Sequence, residues 1–276
     1  SYIKSALLSY TGRAIYNYDD KYLLTLTGRK DGASQLTEGN KWAFFPSASI
    51  AWRIAQEKFM ANNTLFTDLK LRASFGKAGN VLNRIPFACE ESAAIGYGFS
   101  TVIGNQNLHW ETSTTANLGL DFGILKNRLT GTLDVFKTDT KDLLLNRLLP
   151  LATGAQSTIE NIGATQSKGI ELGLNAVAIN NSKLKWDVGF NWFRVKEKIV
   201  KLATSSNDVA NGWFIGQSTQ SFYDYEKTGI WQLGEESEAA KYKQTIGEIK
   251  VKDQNGDGVI DATNDRVIIG SGRPKW

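Results

Sequence analysis

From Trp110 to Lys137 the chain alternates with a strict period of two. Trp110, Thr112, Thr114, Ala116, Leu118, Leu120, Phe122 and Ile124 fill the even positions; Glu111, Ser113, Thr115, Asn117, Gly119, Asp121 and Gly123 fill the odd ones. Successive side chains of a strand point to opposite faces, so this pattern makes one apolar and one polar face. Lys126-Asn127-Arg128 supplies a short polar turn. The return arm sets Leu129, Gly131, Leu133 and Val135 against Thr130, Thr132 and Asp134. Ordinary strands run about five or six residues. A strand that crosses a bilayer needs about 9–11 residues of such alternation. The hairpin therefore predicts a transmembrane β-strand pair.

The same grammar recurs along the chain. Residues 2–30 read as a long hairpin turned by Asp19-Asp20-Lys21, with Tyr16, Tyr18 and Tyr22 flanking the turn. Aromatic rings gather at membrane interfaces, and they also pair across soluble strands. Residues 31–41 read as a polar loop. A strand then places Phe44, Ala48, Ile50, Trp52 and Ile54 on one face. A short helical turn is expected within 55–66, and a strand with Leu69, Leu71, Ala73 and Phe75 follows it. Loops are expected from Lys77 to about His109 and from about Asn146 to Gln166. Strands through Ile170–Ala176 and Trp186–Trp192 flank a turn at Asn180-Asn181-Ser182. Short turns thus alternate with long loops, as expected of a barrel with short periplasmic turns and longer external loops. The polar faces carry mainly Ser, Thr, Asn and Gly, which suits a hydrated interior better than an open aqueous surface.

Composition allows this reading without proving it. Mean hydropathy is −0.29, the value of a soluble chain. Barrels escape such averages because half of each strand faces polar surroundings. The sequence has no run of about 18 apolar residues, so no transmembrane helix is predicted. The first residues, Ser1-Tyr2-Ile3-Lys4, show no signal peptide, which predicts a processed or partial chain. A net charge of +4 without clustering argues against nucleic acid as a partner. One His (His109) and one Cys (Cys89) leave little for a triad, a reactive thiol or zinc, so no enzyme is expected. Glu90-Glu91 and Glu235-Glu236 read as solvated loop charges.

Residues 201–276 break the rhythm and read as an external loop region leading into a further strand, beyond barrel strands in 1–200. Trp213, Phe222, Tyr223, Tyr225 and Trp231 form an aromatic-rich stretch, suited to stacking on sugar rings or to holding a loop together. A short helix is expected over Glu235–Tyr242. Asp253-Gln254-Asn255-Gly256-Asp257-Gly258 then has the spacing that opens an EF-hand-type calcium loop. Asp253, Asn255 and Asp257 would supply side-chain oxygens, Val259 its carbonyl, and Asp261 a direct or water-mediated contact. Asn264 or Asp265 would close the set. A bidentate Glu is absent, so a structural Ca2+ of modest affinity is expected. The alternative is an ion-free turn rich in Asx residues.

In order along the chain come Arg29-Lys30-Asp31-Gly32, Phe45-Pro46-Ser47-Ala48-Ser49 with Trp52, and Leu69-Lys70-Leu71-Arg72-Ala73-Ser74. They are followed by Asn107-Leu108-His109-Trp110-Glu111, Asn117-Leu118-Gly119-Leu120-Asp121 and Thr140-Lys141-Asp142-Leu143-Leu144. Asn161-Ile162-Gly163, Lys168-Gly169-Ile170-Glu171-Leu172 and Ile268-Ile269-Gly270 complete the series. These stretches resemble the SusC/RagA-type TonB-dependent transporters of Gram-negative outer membranes. The resemblance implies an all-β fold, a 22-stranded plugged barrel of which this chain is the middle-to-late portion. It also implies a multi-pass outer-membrane location, energy from TonB through a plug domain, a SusD-like surface lipoprotein, and an oligosaccharide or peptide substrate. The chain departs from the pattern in lacking a plug and a TonB-binding segment. It also has Gln106 where Pro is usual, a metal loop one residue longer, and a stop at Pro274-Lys275-Trp276. Two other functions compete: a soluble calcium-stabilised carbohydrate-binding β module, and a small stand-alone porin.

Overall fold

The computed structural model describes residues 5–81, 102–203 and 206–273. The chain divides into two compact units, Ser1–Ser205 with Trp276, and Ser206–Lys275. In the first, nine strands form one sheet: β1 (Leu7–Tyr18), β2 (Tyr22–Ala33), β3 (Trp42–Arg53), β4 (Phe66–Asn80), β5 (Val102–Ile103), β6 (Glu111–Ile124), β7 (Leu129–Leu148), β8 (Ser157–Asn180) and β9 (Lys185–Lys201). The order is β1-β2-β3-β4-β6-β7-β8, with β9 antiparallel to β8 and the short β5 parallel to it.

Cross-strand partners share a face, so the register can be read as rows. Tyr18, Tyr22, Trp52, Leu71, Leu120, Leu133, Leu172 and Trp192 are successive partners from β1 to β9. One apolar row therefore crosses the whole sheet. This face is not sealed: Ile50 is 58% exposed, Phe75 53%, Leu118 54% and Phe190 52%. In a β-sandwich such residues would be covered by a second sheet. Left to water, so large an apolar surface is unstable, so the face requires an apolar medium.

Tight turns close one end of the hairpins. Asp19 and Asp20 lie at φ 53° and 51°, and Leu125, Lys126 and Asn127 at 54°, 57° and 62°. Such left-handed turns match the twist of paired strands. At the β8–β9 turn the Asn181 side chain accepts the N–H groups of Lys183 (2.9 Å) and Leu184 (2.7 Å).

The other end departs from expectation in three ways. β2 continues to Ala33, into the loop expected at 31–41, and β4 continues to Asn80. Most of the loop expected at 146–166 is strand, because β7 reaches Leu148 and β8 starts at Ser157. The cause is a bulge at Asp142 (φ 59°), where register shifts between Lys141 and Leu144 break the period of two. At the tight-turn end, the short helical turn expected within 55–66 forms as two 3-10 turns, Ile54–Gln56 and Lys58–Met60, with Glu57 accepting from the Tyr22 hydroxyl at 2.6 Å.

Trp110, grouped by parity with the apolar face, instead precedes β6 and turns to the other side. It is 6% exposed and packs edge-on against Phe45, 5.5 Å between centroids. Phe45 alternates with the exposed Phe44, so it shares the polar face with Ser47 and Ser49. Ala33, Leu36, Leu108 and Ile159 complete a small core on that side. The Trp110 indole N–H donates to the Lys41 carbonyl at 3.1 Å, so the buried ring leaves no orphan donor.

The second unit pairs β10 (Ser221–Tyr225) with β13 (Arg266–Ser271), and β11 (Lys227–Ile230) with β12 (Ile249–Val251). Helix α1 spans Glu236–Lys241, within the predicted range. Phe214, Trp231, Ala239 and Asp265 are buried in this unit.

Candidate functional site

The polar face of the sheet is built from hydroxyls, glycines and a few paired charges. Thr25, Ser49, Ser74 and Asn117 are successive partners from β2 to β6. Cross-strand hydroxyls bond directly: Ser113 with Thr140 at 2.8 Å, and Thr115 with Thr138 at 2.9 Å. Thr25, Ser47, Ser49, Ser74, Gly76, Ser113 and Thr115 line a shallow trough across β2, β3, β4 and β6.

Below the trough lies a charge network that the sequence did not reveal. The Arg72 guanidinium donates to both Asp121 oxygens and reaches Asp134 at 3.1 Å. Lys70 Nζ meets Asp121 at 2.8 Å, and Asn117 Nδ2 donates to Asp134 at 3.1 Å. Two cations thus meet two carboxylates across β4, β6 and β7. Gly119 makes this possible. A Cβ there would lie 2.5 Å from Asp134 Oδ1 and 2.7 Å from Arg72 Nη2, so only glycine lets the guanidinium cross β6. The network braces the wall and presents a locally neutral polar surface.

In the second unit the loop 253–265 is closed by N–H donors. Asp253 accepts from Gly256 (2.7 Å) and Gly258 (2.8 Å), and Asp257 accepts from Val259 (2.8 Å). Gly256 and Gly258 sit at φ 76° and 82°, which glycine adopts without strain. Asn255 donates to Asp257 at 2.8 Å. Asp261 accepts the backbone N–H groups of Asn264 and Thr263, which hold its carboxyl below the ordinary value of 3.8. Asp265 is 0% exposed and accepts from Gln254 (2.8 Å) and Asp261 (2.7 Å). Among the described residues, no group of three or more His, Cys, Asp or Glu side chains converges as a metal site.

The five aromatics are not gathered into one surface. Trp231 is 3% exposed; its indole donates to Gln244 at 2.7 Å, its ring stacks with Tyr242, and Lys250 lies 4.2 Å from its centroid. Tyr223 packs on Phe214 at 4.6 Å, and Arg266 covers Tyr225 at 5.3 Å. Trp213 is half-buried beside its backbone bridge to Asp208. Phe222 is 57% exposed. Glu235 takes the N–H of Gln232 and then Lys250, which hold it below its ordinary value of 4.5. His109 stands 3.8 Å from Asp142, and Asn161 clamps the His109 backbone N–H and carbonyl. Cys89, Glu90-Glu91 and Pro274-Lys275-Trp276 lie outside the described residues.

Comparison with known proteins agrees with this geometry. The profile of the family described as TonB dependent receptor-like, beta-barrel, matches residues 5–264. TonB-dependent receptor P3 of Formosa agariphila is 37% identical over 298 residues, covering 99% of this chain and 30% of its own length. TonB-dependent receptor SusC of Bacteroides thetaiotaomicron is 30% identical over 290 residues, covering 94% of this chain and 28% of its own length. The RagAB peptide importer in its closed-closed state matches with a TM-score of 0.76 at 25% identity, over 95% of this chain and 28% of that one. The chain therefore spans about three tenths of the length of the curated relatives it matches. Among the described residues, no helix is long and apolar enough to cross a membrane. An open apolar row on one face, a hydroxyl-lined polar face on the other, and a family profile matching nearly the whole chain lead to one statement: the chain belongs to the TonB-dependent receptor-like β-barrel family and is a segment of an antiparallel outer-membrane barrel.

Proposed function

We propose that this segment forms part of the wall of a TonB-dependent outer-membrane importer. The whole protein takes up a glycan or peptide, works with a SusD-like surface lipoprotein, and draws energy through TonB by way of a plug domain. One observation carries the reading. The row from Tyr18 to Trp192 is apolar on every strand it crosses, while the opposite face is hydroxyl-rich. That division suits lipid outside and a hydrated passage inside. RagAB is a peptide importer, and its likeness to this chain supports a solute of that size. Uptake of labelled oligosaccharides and peptides by cells making the complete receptor tests the proposal. Uptake should vanish when TonB is deleted. Uptake that persists without TonB would overturn it in favour of a passive porin.

Within the second unit, the exposed Phe222 and the half-buried Trp213 are the aromatics we assign to stacking on substrate, whereas the rings of Tyr223 and Tyr225 are covered by Phe214 and Arg266. Trp231, Tyr223 and Tyr225 serve packing. For the loop 253–265 we propose weak calcium binding through Asp253, Asn255, Asp257, the Val259 carbonyl and Asp261. Asn264 and Asp265 hold the closing end. The alternation of oxygen-bearing side chains with two left-handed glycines supports it. Calorimetric titration should show calcium binding that Asp257→Ala removes, and no heat above background in the unaltered protein would refute it.

A further inference from the structure

We propose that the outward face of β7, β8 and β9 carries a binding site for a phosphate-bearing lipid headgroup, formed by Lys137, Lys168 and Lys196. The proposal rests on the reading that the apolar face meets lipid. Register places the three lysines in one row, Lys137 opposite Lys168 and Lys168 opposite Lys196. All three are exposed. Neighbouring strands are about 4.8 Å apart, and like charges directly opposite one another destabilise a sheet. The same row on the other strands is apolar: Ala14, Leu26, Ala48, Phe75 and Ala116. Within this row the positive charge is thus confined to three strands; elsewhere on the outward face Lys30 and Lys77 stand on β2 and β4 without a lysine directly opposite.

Adjacent rows strengthen it. Arg194 lies opposite Ile170, one row nearer the apolar band, and Lys198 lies opposite Gln166, one row further away. Among the described residues of these three rows on β7, β8 and β9, Asp139 is the one carboxylate. It pairs with Lys137 at 2.7 Å and accepts from Gln166 at 2.7 Å. Asp139 therefore neutralises Lys137 in part and leaves Lys168 and Lys196 uncompensated.

Height identifies the ligand. Lys137 follows Leu129, the first residue after the short turn, by eight positions. At about 3.4 Å per residue and a tilt of about 40°, that places it roughly 20 Å above the short-turn end. The lipid-facing band is about 25 Å tall, so lysine stems rising along it bring their ammonium groups to the outer headgroup level. The anions at that level are phosphates, which accept from several ammonium donors at once, and Arg194 can add a two-pronged contact.

The test uses the complete receptor in detergent micelles, titrated with phosphatidylglycerol against phosphatidylcholine and read by native mass spectrometry. The unaltered protein should retain phosphatidylglycerol preferentially. K137Q/K168Q/K196Q should weaken retention at least about tenfold, and the matching triple arginine variant should restore it. Insertion into vesicles and heat-dependent gel mobility report folding separately, and K168Q alone serves if the triple variant misfolds. Equal retention by the triple glutamine variant overturns the site, as does displacement of the lipid by inorganic phosphate at equal concentration. Failure of the unaltered receptor to insert into vesicles would instead overturn the barrel reading.

Discussion

The sheet of residues 7–201 and the unit of residues 206–273 solve stability in opposite ways. The sheet leaves Leu118 and Phe190 more than half exposed. It relies on a continuous backbone ladder and on the medium outside. The later unit buries Trp231 and Asp265 within itself, as a water-soluble fold does. Even its polar core is internally satisfied, with both Asp265 oxygens taken by N–H donors. The lesson is that one chain can hold two solvent logics, and exposure of a large apolar residue has a different meaning in each.

Three changes would break or sharpen that contrast. The largest effect is expected from Trp231→Ala, which should cost the second unit about 3–5 kcal/mol through lost burial and a cavity. Denaturant unfolding of the complete receptor should show it equally in detergent and in vesicles. A loss confined to vesicles would mean the two regions share one logic. Next is Leu120→Arg, in the middle of the outward run from Ile124 to Ala116. It should cost about 2–4 kcal/mol in vesicles, against about 0–1 for the same change at Tyr18 beside the turn. Equal costs at the two positions would contradict the lipid-facing assignment. The smallest effect is acid sensitivity of the second unit. Asp261 and Glu235 are held below their ordinary values by N–H donors, so their bonds stabilise the fold above those values. That contribution should begin to fade below 4.5 for Glu235 and below 3.8 for Asp261, and be lost as pH falls through the lower values the fold imposes. Fluorescence of the buried Trp231 measured between pH 6 and 3 (about that range) should follow it, and Asp261→Asn should flatten the response.

The hairpins were legible because lipid on one side and water on the other impose alternation residue by residue. Leu118, Leu120 and Phe122 announce their face without any partner in view. Legibility failed where that pressure ends. Beyond Asp142 the parity changes, and Leu143-Leu144-Leu145 reads as no strand pattern although all three pair with β8. Trp110 was misplaced because parity was extended one residue past the end of β6. The Arg72 network was invisible for another reason. Its partners lie 49 and 62 residues away, and only the register brings them together. In the loop 253–265 the spacing of Asp and Gly was plain. What it could not show was that Asp265, grouped among possible ligands, is spent on backbone N–H groups.

The Asp142 bulge has a consequence for reach. β7 continues from the bulge to Leu148, still paired with β8, and by the same tilt and rise this is roughly 15 Å of further height. The two strands thus stand above the bilayer as a stiff parapet. A ladder of paired strands does not bend as a bare loop would, so the rim these two strands form holds its position.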